Sequence, residues 1–193
     1  VNYFELFEVP INLKQDDTEL ERRYHKFSRM LHPDFFYQKT GDERQISLSR
    51  FAIINRSYQT IRTLKGRAKY LLELFRYGEG EGKHDETPKS LLMTVFELQE
   101  AIEELTDLDE DASESEREAC IERVREIGSE LDEKEDAIDK GLESLAEQWD
   151  QALRDDKPES AFKPFLAGIK QRLDEYAYLD RLRTNVRKAL GED

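Results

Sequence analysis

The chain has 193 residues, of which 37% are apolar and 38% charged, with 44 Asp and Glu against 30 Lys and Arg for a formal net charge of −14. No segment approaches the roughly 18 consecutive apolar residues of a membrane span, and no signal or transit pattern is present, so a soluble protein in a cytosol-like compartment is expected. A single cysteine, Cys120, excludes an internal disulfide framework, and His25, His32 and His84 lack ligand spacing, so no metal and no cofactor are predicted.

The charge is uneven. Residues 1–76 carry 14 Lys and Arg against 10 Asp and Glu, a balance of +4, whereas residues 77–193 carry 16 against 34, a balance of −18. Opposite signs predict two modules with different partners, and the acidic larger part argues against nucleic acid as one of them.

In chain order, residues 2–8 read as a short aromatic helix ended at Val9-Pro10, where proline disfavours the α region for its predecessor. "QDDTELERRYHKFSRML" opens with Asp16 and Glu19 in a capping-box-like arrangement and places Leu20, Tyr24, Phe27 and Leu31 on one helical face. "DERQISLSRFAIINRSYQTIR" does the same with Phe51, Ile54, Tyr58 and Ile61, and "RAKYLLELF" makes a fourth helix. The Gly- and charge-rich "YGEGEGKHDET", residues 77–87, is the expected linker between a module at 1–76 and another at 88–193.

Beyond the linker, Thr87 and Pro88 are expected as the N-cap and first residue of a helix reaching about Leu105. Ser113 and Glu116 form a second capping box. From Cys120 through Val124, Ile127, Leu131, Ile138, Leu142, Leu145 and Trp149 to Leu153, the apolar spacing predicts a helix of about ten turns. After "RDDKPES" the residues from Phe162 to Leu190 line a last helix. No run alternates with period two, so the predicted fold is all-α, a helical N-terminal module followed by an antiparallel three-helix bundle.

Two features stand out from this framework. Arg22, Lys26 and Arg29 form a positive face on the second helix, away from its apolar stripe, and the helix stops at His32-Pro33-Asp34. Taken alone, a basic face is a solvated surface and the tripeptide a stop signal. No Ser or Cys nucleophile accompanies His32 and Asp34, and neither GxxxxGK[ST] nor GxGxxG occurs, so no intrinsic catalysis is expected. In "SLLMTVFELQEAIEEL", Leu91, Val95, Leu98, Ile102 and Leu105 complete a core stripe and leave Leu92, Met93 and Phe96 over, beside Glu97, Glu100 and Glu104. Surplus apolar residues of this kind are either buried against another element or form a partner site.

The aromatic first helix, the basic second helix, His32-Pro33-Asp34 and "INRSYQTI" resemble the J-domain of DnaJ-type co-chaperones. That resemblance implies docking on a DnaK-type chaperone through Arg22, Lys26, Arg29, His32, Pro33 and Asp34, with stimulation of its ATPase. Phe35 stands where many J-domains carry a basic residue, while Phe36 matches the usual aromatic.

Together with "VNYFELFEVP", "RAKYLLEL", "LLMTVFELQEAIEEL" and "YLDRLR", the pattern over nearly the whole chain resembles the HscB family, the J-type co-chaperones of iron–sulfur cluster assembly. This implies an IscU-type scaffold bound through Leu92, Met93, Phe96, Glu97, Glu100, Glu104 and Tyr178, a DnaK/HscA-type chaperone as second partner, and a cytoplasmic location in bacteria or a mitochondrial one in eukaryotes. The paired CxxC motifs of some eukaryotic relatives are absent, and the acidic tract from Asp107 to Glu118 has no assigned role beyond solubility. A general J-protein for unfolded chains and a purely structural helical bundle are the alternatives.

Overall fold

The computed structural model describes residues 2–32, 34, 41–78, 87–109 and 111–192. Among these, α-helices α1 (Tyr3–Leu6), α2 (Asp17–Met30), α3 (Gly41–Ile61), α4 (Leu64–Leu74), α5 (Leu92–Thr106), α6 (Glu114–Arg154) and α7 (Lys163–Leu190) account for the regular structure, with 3-10 turns at Lys89–Leu91 and Glu159–Phe162 and no strand. The fold is all-α. None of these helices is long and apolar enough to cross a membrane.

The helix ends follow local chemistry. Asn2 caps α1 by accepting the Phe4 N–H at 3.0 Å, and Asp16 caps α2 by accepting the Glu19 N–H at 3.1 Å. Only half of the expected capping box forms at Asp16, because the Glu19 carboxylate turns instead to Arg22 and Arg23. Ser113 and Glu116 form theirs in full: the Ser113 hydroxyl accepts the Glu116 N–H, and the Glu116 carboxylate accepts the Ser113 N–H at 2.9 Å. Thr63 caps α4, whose Gly66 lies so close to α3 that a Cβ there would collide with the Thr60 carbonyl.

Internal packing divides the chain into two units, residues 1–80 with 143–170, and residues 81–142 with 171–193. These units do not coincide with the segments read from the sequence, since the first takes in the end of α6 and the start of α7. Residues 79–86 of the expected linker lie outside the described residues.

In the first unit, Phe4, Phe7, Leu20, Ile54, Ile61 and Tyr70 form a buried core, with Tyr24, Phe27, Leu31 and Tyr58 packed against it. Tyr3 stacks on Tyr70 at 4.3 Å and Tyr24 on Tyr58 at 4.1 Å. The aromatic content of α1 is therefore a packing requirement: a four-residue helix has too little backbone bonding to persist unless its rings are buried.

Buried polar groups then tie down the connections. Arg67, at the start of α4, donates to the carbonyls of Leu13 at 2.7 Å and Ile61 at 3.0 Å and pairs with Asp17 at 3.1 Å. Asp150 accepts the N–H groups of Leu13 at 2.7 Å and Lys14 at 2.8 Å, and the Trp149 indole donates to the Ile11 carbonyl at 3.0 Å. The segment from Ile11 to Lys14 has no secondary structure of its own, so these side chains supply the partners its backbone would otherwise lack.

In the second unit, Leu91, Leu98, Val124, Ile127, Leu131, Ile138, Leu179 and Leu182 are buried together, with Val95, Ile102 and Leu105 partly buried against them. Along α6 and α7, Tyr176 and Arg183 reach Glu135, and Arg183 also reaches Asp132, so residue numbers rise on one helix as they fall on the other. The two helices run antiparallel there. The Glu135 carboxylate and burial together push the Tyr176 phenol up to about 12.

Two local expectations are corrected. Thr87 does not cap a helix, because its hydroxyl shares a 2.9 Å hydrogen bond with the Tyr178 hydroxyl, and the chain enters α5 through the 3-10 turn at Lys89–Leu91. Leu153 is exposed, while the neighbouring Ala152 takes the buried position.

Candidate functional site

The first candidate surface lies on α2 and just beyond it. Arg22, Lys26 and Arg29 are exposed, and with His25 they line one shallow depression. Their spacing puts them on the solvent side because Leu20, Tyr24, Phe27 and Leu31 take the inward side. They are not equivalent. Arg22 grips Glu19 through two bonds of 2.6 and 2.7 Å, and with Arg23 it holds that carboxyl down at about 2. Lys26 and Arg29 have no carboxylate partner among the described residues.

Helix α2 ends at Met30, with Leu31 as its C-cap. His32 follows half-exposed, its ring edge-on to Phe51 at 5.6 Å, and its Nδ1 accepts the Asp34 N–H at 3.3 Å. The same nitrogen lies 3.4 Å from the Asp34 carboxylate, which is 85% exposed and so available to an incoming cation. Pro33, expected as the third member of this group, lies outside the described residues, as do Phe35 and Phe36.

The second candidate surface is on α5. Leu91, Thr94, Leu98 and Ala101 are buried, so the inward face includes Thr94 and Ala101 as well as the purely apolar stripe. Leu92 is 39%, Met93 69% and Phe96 63% exposed. Met93 and Phe96, with Glu97 and Glu100, line one depression. Spacing of i, i+3, i+4, i+7 and i+11 places Met93, Phe96, Glu97, Glu100 and Glu104 along one helical face.

Tyr178 of α7 is half-buried, packed against the core of the second unit, with its hydroxyl on Thr87 and its ring under Arg181 at 4.8 Å. It therefore stands beside the entry to α5 as a partly structural residue, less open than Met93 and Phe96.

The sequence reading missed Arg123. From α6 it donates to Glu100 at 2.9 Å and to Glu104 at 3.1 Å. Among the described residues no group of three or more His, Cys, Asp or Glu side chains is arranged to hold a metal ion.

Chains of this architecture have been solved. HscB from Vibrio cholerae aligns over 100% of this chain and 99% of its own, with a TM-score of 0.61 and 23% identity. The human co-chaperone protein HscB aligns over 97% of this chain and 81% of its own, with a TM-score of 0.62 and 22% identity. At such identities the likeness bears on the fold. No family model matches the chain. In sequence, the co-chaperone protein HscB homolog of Shewanella amazonensis is 32% identical over 110 residues. In sequence over part of its length, and in fold over nearly all of it, the chain is similar to HscB co-chaperones.

The aligned part covers 57% of the chain and 63% of that HscB relative, just under two thirds of the relative's length. Within the HscB fold, the α2 surface belongs to the first unit and the α5 surface to the second.

Proposed function

We infer that this chain is a J-type co-chaperone with two docking surfaces. Residues 1–76 act as the J-domain: Arg22, Lys26 and Arg29 attract an acidic face of a DnaK/HscA-type chaperone, while His32, Pro33 and Asp34 make a further contact in which the Asp34 carboxylate accepts a partner cation. Charge-assisted bonds of this kind are strong and directional. Residues 88–193 act as the scaffold-binding domain, with Leu92, Met93 and Phe96 giving contact area and Glu97, Glu100 and Glu104 giving orientation to an IscU-type scaffold, and Tyr178 at the edge. The chain catalyses nothing itself. By holding scaffold and chaperone together it promotes ATP hydrolysis by the chaperone and thereby iron–sulfur cluster assembly or transfer.

The observation that carries this reading is the exposure of Leu92, Met93 and Phe96 on a helix whose other large apolar residues are buried or packed into the core. An apolar patch bordered by carboxylates is disfavoured in water and suits a partner of complementary chemistry. Steady-state ATP turnover by a cognate DnaK/HscA-type chaperone, with and without this protein and an IscU-type scaffold, tests it. Stimulation is expected, with His32→Gln abolishing it and Phe96→Ala weakening scaffold affinity roughly tenfold or more, as for a hot-spot aromatic. Absence of stimulation, or stimulation unchanged in His32→Gln, overturns the J-domain reading. Scaffold binding unchanged in Leu92→Ala/Phe96→Ala points instead to a general J-protein.

A further inference from the structure

Two of the carboxylates on the α5 surface already carry a cation from their own chain. The Arg123 guanidinium spreads its two terminal nitrogens over Glu100 and Glu104, four residues and about one turn apart, at 2.9 and 3.1 Å. Its neighbour Val124 is fully buried in the core of the second unit, which holds the Arg123 backbone at the edge of that core and its side chain over α5. Glu97, on the same face one turn earlier, has no cation beside it among the described residues. The carboxylate row is thus filled by Arg123 at one end and open at the other, next to Phe96.

All three paired groups remain in water: the Arg123 side chain is 43% exposed, Glu100 64% and Glu104 46%. Exposed ion pairs of this kind hold weakly, because solvent and salt screen them and two long side chains lose freedom in forming them. Such a pair exchanges readily for a better-placed cation, above all one brought in by a surface that also covers the apolar groups beside it.

We propose that Arg123 is a specificity-determining residue of the α5 surface, occupying in the free protein the carboxylate positions that basic side chains of the partner take on docking. The inference rests on α5 being the scaffold surface and adds the chemistry of what it accepts: an apolar patch flanked by Lys or Arg. Met93 and Phe96 meet the patch, Glu97 takes the first cation unopposed, and further cations displace Arg123 from Glu100 and Glu104. A partner with apolar surface alone leaves Arg123 in place and gains nothing from the carboxylates, so the exchange discriminates against it.

Isothermal titration of the full chain with a purified IscU-type scaffold, at low and at physiological salt, tests this. Removing the competing cation in Arg123→Ala is expected to tighten binding about two- to fivefold, the range an exposed pair supports, with a steeper loss of affinity as salt rises. Arg123→Gln, which keeps more of the side-chain stem, is expected to act in the same direction. The gain should vanish in a Glu100→Gln/Glu104→Gln background, where no carboxylate is left to release.

Unchanged or weaker binding by both Arg123 variants overturns the proposal. So does a gain that persists in the double-Gln background, since that reports only the general field of the surface. If the unaltered chain does not bind the scaffold, or Phe96→Ala binds as well as the unaltered chain, the scaffold reading fails and this inference falls with it. That failure is distinguishable, because it appears without any change at Arg123.

Discussion

Glu19 and Tyr176 show two ways in which an ordinary side chain is committed by its neighbours. Glu19, its side chain only 33% exposed, is held down at about 2 from its usual 4.5 by the bonds it accepts from Arg22 and Arg23. Its folded value lies below its unfolded one, so its contribution to stability is complete above about pH 4.5 and is lost as pH falls toward 2. Thermal unfolding of Glu19→Gln followed over that window should show a flatter acid limb than the unaltered chain; an identical limb would show that the pair does not persist in solution. Tyr176 works in the opposite sense. Held at about 12 against a usual 10.0, it contributes fully below pH 10 and loses that contribution as pH rises toward 12. Tyr176→Phe should remove a late-ionising step near pH 12 from the tyrosinate absorbance titration and reduce the loss of stability between those pH values.

At the scale of elements, the connections are held by side chains rather than by backbone ladders. In Asp150→Ala, the Leu13 and Lys14 N–H groups lose their acceptors. A loss of about 1–3 kcal/mol in urea unfolding is expected, the usual cost of stranding buried or half-buried donors. A midpoint unchanged in Asp150→Ala would mean that water replaces the carboxylate without cost. The same contacts mark where the sequence stops being legible. Capping at Asp16 and at Ser113 with Glu116 was readable because donor and acceptor sit three residues apart. The apolar members of the inward faces of α2, α3, α5 and α6 were readable from period, except at the end of α6, where Ala152 rather than Leu153 is buried. The small residues buried beside them, Ser47 and Ser57 on α3 and Thr94 and Ala101 on α5, were not. Arg67 and Asp150 were not readable: their partners at Leu13 lie 54 and 137 positions away, and each looks like one more surface charge until the chain is folded. Arg123 was hidden for the same reason. Its pairing with Glu100 and Glu104 depends on the register between two helices, and the nearby Arg125 in "RVREIG" offers the same charge without reaching them.

For the whole molecule, the proposed function implies that carrying two docking surfaces on one chain raises local concentration. On that reading, tethering would place the scaffold near the chaperone at an effective concentration of about the millimolar scale for a short connection, with no new contact required. The proposed function therefore predicts that the surfaces must be joined. An equimolar mixture of His32→Gln and Leu92→Ala/Phe96→Ala chains, each keeping one surface, should fail to restore scaffold-dependent stimulation of chaperone ATP turnover. Full recovery in the mixture would mean that the surfaces act separately, and adaptor action would have to be abandoned. The α2 and α5 sites became legible only in part, because charge and surplus apolar residues point to docking surfaces while leaving open which carboxylates are already occupied.

The chain holds one tryptophan, Trp149, and its position makes it a built-in optical probe. Its indole is 1% exposed, bonded to the Ile11 carbonyl and edge-on to the rings of Phe75 and Phe162. Selectively excited tryptophan fluorescence thus reports the packing of the Ile11 segment, Phe75 and Phe162 around the end of α6. Native emission should be blue-shifted, and its red shift during unfolding should time the loss of that packing without any label being attached.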